Sequence, residues 1–191
     1  KMNIGPIVSS LHGSWLGEKD GLLTAKEQKE TAVWANPNDL AILLTSKRYA
    51  KFENQALSGS DVCVANSEAT KRDFISRYSP PTDWDCEVIH WGVDTEMFTP
   101  AETRDKDLRR RFGCSEGDIL LLAVGRLADR KGYGSLLRAF ALVNSEFSNS
   151  KLVIVGRGHL RKRLLNQAHS LGISSSVYIE SSMSFEELAK L

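Results

Sequence analysis

The feature that most limits the folds open to this chain is a repeated alternation. A short apolar run is followed by a longer amphipathic stretch, several times over. Runs at residues 4–11, 61–66, 86–90, 119–124, 152–155 and 177–180 have the length of buried strands. Between them, residues 46–57, 67–78, 135–147 and 159–171 repeat apolar side chains at helical spacing, as Leu160, Leu164, Ala168 and Leu171 do. Strands that alternate with helices predict parallel sheets, because a parallel neighbour is reached only through a crossover. The expected class is therefore α/β, with helices on both faces of each sheet.

Local signals set the expected boundaries. Ser67 is placed to cap the helix over 67–78, Pro80 and Pro81 stop it, and Gly172 stops the helix over 159–171. The faces expected to pack are Tyr49, Phe52 and Ala56 in 46–57; Ala69, Ile75 and Tyr78 in 67–78; and Leu136, Phe140, Val143 and Phe147 in 135–147. Residues 40–44 read either as a strand or as a helix start, and the polar region 21–38 as a loop or short helix. A short charged helix is expected at 105–112 and another from Phe185. The irregular stretch after Gly92 reads as a linker. It gives a first domain over 1–92, a linker over 93–106 and a second domain over 107–191.

Composition excludes several functions. The net charge of +1 supplies no field to recruit nucleic acid or an anionic membrane. No apolar run approaches a bilayer span. Cys63, Cys86 and Cys114 are far apart and lack C-x-x-C spacing, so neither a zinc site nor a disulfide framework is expected. Reduced thiols fit a cytoplasmic setting. Charge is nevertheless uneven: residues 119–165 hold nine Lys/Arg against two Asp/Glu.

That excess lies beside two glycine turns. One is Gly125-Arg126-Leu127, followed by Asp129-Arg130-Lys131-Gly132; the other is Gly156-Arg157-Gly158. Each follows an apolar strand and leads towards a helix. In open α/β sheets such strand ends receive ligands, glycine admits close backbone approach, and Arg and Lys supply charge. Together they predict a site for a diphosphate-bearing ligand. Arg161, Lys162 and Arg163 read instead as a solvated helix face. The basic run from Arg157 to Arg163 lacks the interleaved aromatics of a nucleic-acid surface. Asp83-Trp84-Asp85 and Asp105-Lys106-Asp107 match a metal motif. Eleven aspartates make such matches commonplace, and neither pair follows a strand, so no metal is expected. No nucleophile elbow surrounds Ser14, and no Gly-x-Gly-x-x-Gly follows a strand.

The second half resembles the retaining glycosyltransferases of family four, whose fold is the two-domain GT-B type. The resemblance rests on Gly125-Arg126-Leu127, Lys131-Gly132, Leu136-Leu137-Arg138-Ala139 and Gly156-Arg157-Gly158. Upstream, residues 61–68 and Gly92-Val93-Asp94 with Phe98 and Pro100 are similar to the same family. Trp91 stands where that family usually has Asn, and Ser181-Ser182 replaces a common Gly.

The resemblance implies two Rossmann-like units, both incomplete, in an internal fragment lacking both ends. The family's paired C-domain glutamates, with seven residues between them, do not occur in the 191 residues. It implies transfer of a sugar, with retention, from a nucleoside-diphosphate sugar to an acceptor that the sequence leaves unassigned. Gly125, Arg126, Lys131, Gly156 and Gly158 would bind the donor diphosphate, and His12 would lie at the transferred sugar. No cofactor and no nucleic-acid partner are implied, and peripheral membrane contact stays open. The isolated chain is expected to be inactive. The alternative is a non-catalytic module that binds a nucleotide or nucleotide sugar.

Overall fold

In the computed structural model, which describes residues 5–28, 36–100 and 105–191, the apolar runs form six strands. They are β1 (Val8–Leu11), β2 (Val62–Ala65), β3 (Cys86–Val88), β4 (Ile119–Val124), β5 (Ser150–Val155) and β6 (Val177–Glu180). All pair in parallel, as two sheets ordered β1-β2-β3 and β4-β5-β6. The crossovers are helical: α1 (Trp15–Glu27) and α2 (Pro37–Gly59) join β1 to β2, and α3 (Glu68–Tyr78) joins β2 to β3. Helix α4 (Lys106–Arg111) precedes β4, α5 (Tyr133–Glu146) and α6 (Arg161–Ser170) link the second sheet, and α7 (Phe185–Lys190) follows β6. The chain divides into two compact units, Lys1–Gly92 and Val93–Leu191. Among the described residues no helix is long and apolar enough to cross a membrane.

In the second unit, β5 is apolar from Leu152 to Val155 because both its faces are covered there. Leu152 and Ile154 pack with Leu137 and Phe140 of α5 and Leu164 and Ala168 of α6. Val153 and Val155 point the other way, to Phe112, Leu108 and Leu188. The parallel register Val124↔Val155 brings β4 and β5 to the same end of the sheet.

In the first unit, Cys63 and Ala65 of β2 are fully buried with Leu57, Phe74 and Tyr78. Here local patterning misplaces several elements. Helix α1 runs through residues 15–27, because buried Ser14 caps it by accepting the N–H of Gly17. Residues 40–44 are helical, part of the 23-residue α2 that starts at Pro37 behind the Asn36 cap. Tyr49, Phe52 and Ala56 lie on the exposed side of α2, while Ser46, Ala50 and Leu57 face inward. In α3 the buried residues are Phe74 and Tyr78, and Ile75 is exposed. In α5 the inward side is Tyr133, Gly134, Leu137 and Phe140, leaving Val143 and Phe147 exposed. In α2 the small Ser46 and Ala50 let the helix approach closely, whereas in α3 and α5 other large side chains, Phe74 and Leu137, take the inward positions. Residue 4, residues 29–35 of the polar region and residues 101–104 of the linker lie outside the described residues.

Candidate functional site

The turns after β4 and β5 are laminated backbone on backbone. Gly125 donates its N–H to Val155 O at 2.9 Å, and Leu127 donates to Arg157 O at 2.9 Å. Gly156 donates to Glu180 O of β6 at 2.8 Å. A Cβ on Gly156 would sit 1.8 Å from Gly125 O, and one on Gly158 would sit 2.2 Å from Leu127 O. Both contacts are far inside van der Waals distance, so these glycines are demanded by the chain itself. The N–H groups of Gly125 and Gly156 are taken up by the sheet. Those of Arg126, Arg157 and Gly158 donate to no acceptor among the described residues. Helix α6, which opens immediately beyond, has no side-chain cap.

The side chains of Arg126 and Lys131 are exposed, and neither pairs with a protein group among the described residues. Lys131 ends a short 3-10 turn, Asp129–Lys131, that closes on Gly132 in the left-handed region at φ 68°. This turn is anchored by Asp129, whose carboxylate is buried. Its Oδ2 lies 3.0 Å from His159 Nε2, and its Oδ1 lies 3.5 Å from Arg163 Nη1. A desolvated carboxylate requires such partners. Asp129 thus ties the segment carrying Lys131 to α6, a role with no local sequence signal. Residues 161–163 are all exposed, as a solvated face requires, and two of them also make contacts: Arg161 donates to Ile179 O at 3.1 Å and Arg163 faces Asp129. Lys162 remains in solvent.

In the first unit, His12 follows β1 and is exposed. Its Nε2 lies 3.2 Å from Ser10 Oγ, and its ring centroid is 5.2 Å from that of Trp91, which is itself exposed. A Cβ on Gly13 would meet nothing within 4 Å, so the backbone beside His12 is open. Ser14 is a buried helix cap that also donates to Asp73 Oδ2 at 3.2 Å. Asp105 caps α4, and Asp107 pairs with Arg110 at 2.9 Å.

The structure thus gathers Gly125, Arg126, Gly156 and Gly158 at one strand edge of the second unit, with Lys131 on the turn that follows; His12 belongs to the first unit.

Residues 2–97 match the family model described as Glycosyltransferase Family 4, and residues 104–191 match that of Glycosyl transferases group 1. The chain is 30% identical over 130 residues to a GDP-mannose-dependent alpha-(1-6)-phosphatidylinositol monomannoside mannosyltransferase of Mycobacterium tuberculosis, covering 68% of this chain and 33% of that protein. It is 34% identical over 146 residues to a D-inositol 3-phosphate glycosyltransferase of Nocardiopsis dassonvillei, covering 72% and 33%. The crystal structure of Anabaena Alr3699/HepE in complex with UDP-glucose is similar in fold, with a TM-score of 0.65 at 20% identity, over 96% of this chain and 44% of that one. The chain spans about a third of the length of these curated relatives.

Proposed function

This chain belongs to glycosyltransferase family 4, and from that premise we propose that its protein moves a sugar from a nucleoside-diphosphate sugar to an acceptor, with retention. The observation that carries this reading is the lamination of the two turns after β4 and β5. It leaves the cations Arg126 and Lys131, and the N–H groups of Arg126, Arg157 and Gly158, without protein partners among the described residues. Donors fixed in place before a ligand arrives need no reorganisation when charge develops.

In the proposed reaction the bond between the sugar's anomeric carbon and the diphosphate oxygen breaks, and its electron pair leaves with the diphosphate. Arg126, Lys131 and the amides receive that growing negative charge. The acceptor's hydroxyl oxygen bonds to the anomeric carbon and its proton passes to the departing diphosphate oxygen. His12 is proposed to contact the transferred sugar; its exposed ring and the open backbone at Gly13 support that role. Charge neutralisation is assigned to side chains and amides rather than to a metal. The M. tuberculosis relative is named for GDP-mannose and the Anabaena structure holds UDP-glucose; a diphosphate is what those two donors share.

Donor kinetics in the full-length protein test this. A charge-assisted contact contributes about 1.5–3 kcal/mol, so Arg126→Ala and Lys131→Ala are expected to lower kcat/KM for donor by about one to two orders of magnitude. Lys162→Ala, in solvent on α6, is expected to change it less than about twofold. Equal, small effects at all three would remove the diphosphate from this site. Donor binding without turnover would leave the non-catalytic module.

A further inference from the structure

At the other end of the second sheet, α4 and the turn before β4 enclose a cavity of about 350 Å³. Its walls include Lys106, Arg109, Arg110, Cys114, Glu116 and Gly117. Strand β4, about 20 Å long at six residues, separates it from the turns at Gly125 and Gly156. The volume is at the small end of ligand cavities and well beyond one water.

The unusual wall is Arg109, a cation only 9% exposed. One N–H of its guanidinium donates to Asp118 O at 2.6 Å. No carboxylate lies within ion-pairing distance of it among the described residues. A guanidinium carries five N–H donors, and burying its charge unpaired is costly. The nearby carboxylates are engaged elsewhere. Glu116 pairs with Lys106 at 3.1 Å, Asp107 with Arg110 at 2.9 Å, and Asp118 Oδ2 accepts the N–H of Ser115 at 2.7 Å. The first two pairs stand in solvent, where ion pairs contribute little and rearrange easily. Lys106 and Arg110 are therefore free to turn towards an arriving anion.

We propose that this cavity is a second anion site, which binds the phosphate group of a small phosphorylated metabolite or of inorganic phosphate. Arg109 takes two phosphate oxygens as a fork, while Lys106 and Arg110 close over it. The site is independent of the proposed donor site. Cys114 forms part of the wall, so occupancy is legible at its thiol.

The test is the rate at which N-ethylmaleimide modifies each cysteine of this chain, resolved by mass spectrometry. Inorganic phosphate and glycerol 3-phosphate are titrated separately. Saturable slowing at Cys114 is expected, with Cys63 and Cys86 of the other unit unaffected. Tighter protection by glycerol 3-phosphate assigns the site to phosphorylated metabolites; equal or tighter protection by inorganic phosphate assigns it to the free ion. Arg109→Gln is expected to weaken protection about tenfold or more. The exposed double variant Lys106→Gln/Arg110→Gln is expected to weaken it at an unchanged melting temperature, which keeps the test valid if Arg109→Gln does not fold. Arg126→Ala is expected to leave protection intact. Absence of saturable protection by either probe, full protection in the double variant, or its loss in Arg126→Ala overturns the proposal.

Discussion

Tyr78 shows how much one buried polar atom does in the first unit. Its hydroxyl donates to Glu53, which also accepts the backbone N–H of Trp15 at 3.1 Å, so one carboxylate joins α1, α2 and α3. Burial, and then donation to Glu53, push the Tyr78 phenol above its ordinary range. A folded value raised above the unfolded one means stability that is complete below about pH 10 and lost as pH rises beyond it. Cys86, whose thiol is also raised chiefly by burial, adds an earlier loss from about pH 8.5. Tyr78→Phe is therefore expected to cost about 1.5–3 kcal/mol at neutral pH and to flatten the decline above about pH 10. Melting temperatures from pH 7 to 11 for both proteins check this; parallel alkaline limbs would contradict it. At the same scale, buried Asp129 matters because it faces both His159 and Arg163.

At the scale of elements, the ends are well encoded. Ser14, Asn36, Ser67, Asp105 and Ser184 each cap the helix that follows. Ser184 does so in a reciprocal box with Glu187. The turns after β4 and β5 are encoded differently, by glycines that admit another backbone. Gly156→Ala and Gly158→Ala are expected to separate the turns and destabilise the second unit by about 1–3 kcal/mol or more. Gly13→Ala, with nothing near its Cβ, is expected to change stability by under about 0.5 kcal/mol. Urea unfolding of the three variants makes the comparison. If Gly156→Ala unfolds like the parent, the turns do not need their close approach.

At the scale of the molecule, among the described residues each sheet has an edge strand, β1 or β4, on which apolar side chains lie bare. Val124 is 58% exposed and Val8 64%. Leu122 and Val124 share a sheet face with Val153 and Val155, yet on β4 only Leu120 packs with the cluster that holds Leu108 of α4 and Leu188 of α7. An exposed apolar edge templates pairing between chains. Concentration-dependent association of this chain is expected, and Val124→Lys is expected to suppress it. Light scattering across a dilution series decides; association undiminished by the charge would place the contact elsewhere.

The sequence by itself determined which segments are strands, that they run parallel, and where the glycine turns fall. Those properties are written in nearest neighbours: run length, periodicity, caps and stops. It also placed Arg126 and Lys131 beside strand ends, because position along the chain is position along a strand. Tertiary structure alone decided which face of α2, α3 and α5 is buried, since the inward side is set by what packs against it: small Ser46 and Ala50 in α2, but Phe74 in α3 and Leu137 in α5. It alone decided the partners of Asp129 and the burial of Arg109 against Asp118 O. A charge is paired or stranded by what comes near it in space: His159 and Arg163 lie up to 34 residues along the chain from Asp129, while among the described residues no carboxylate pairs with Arg109.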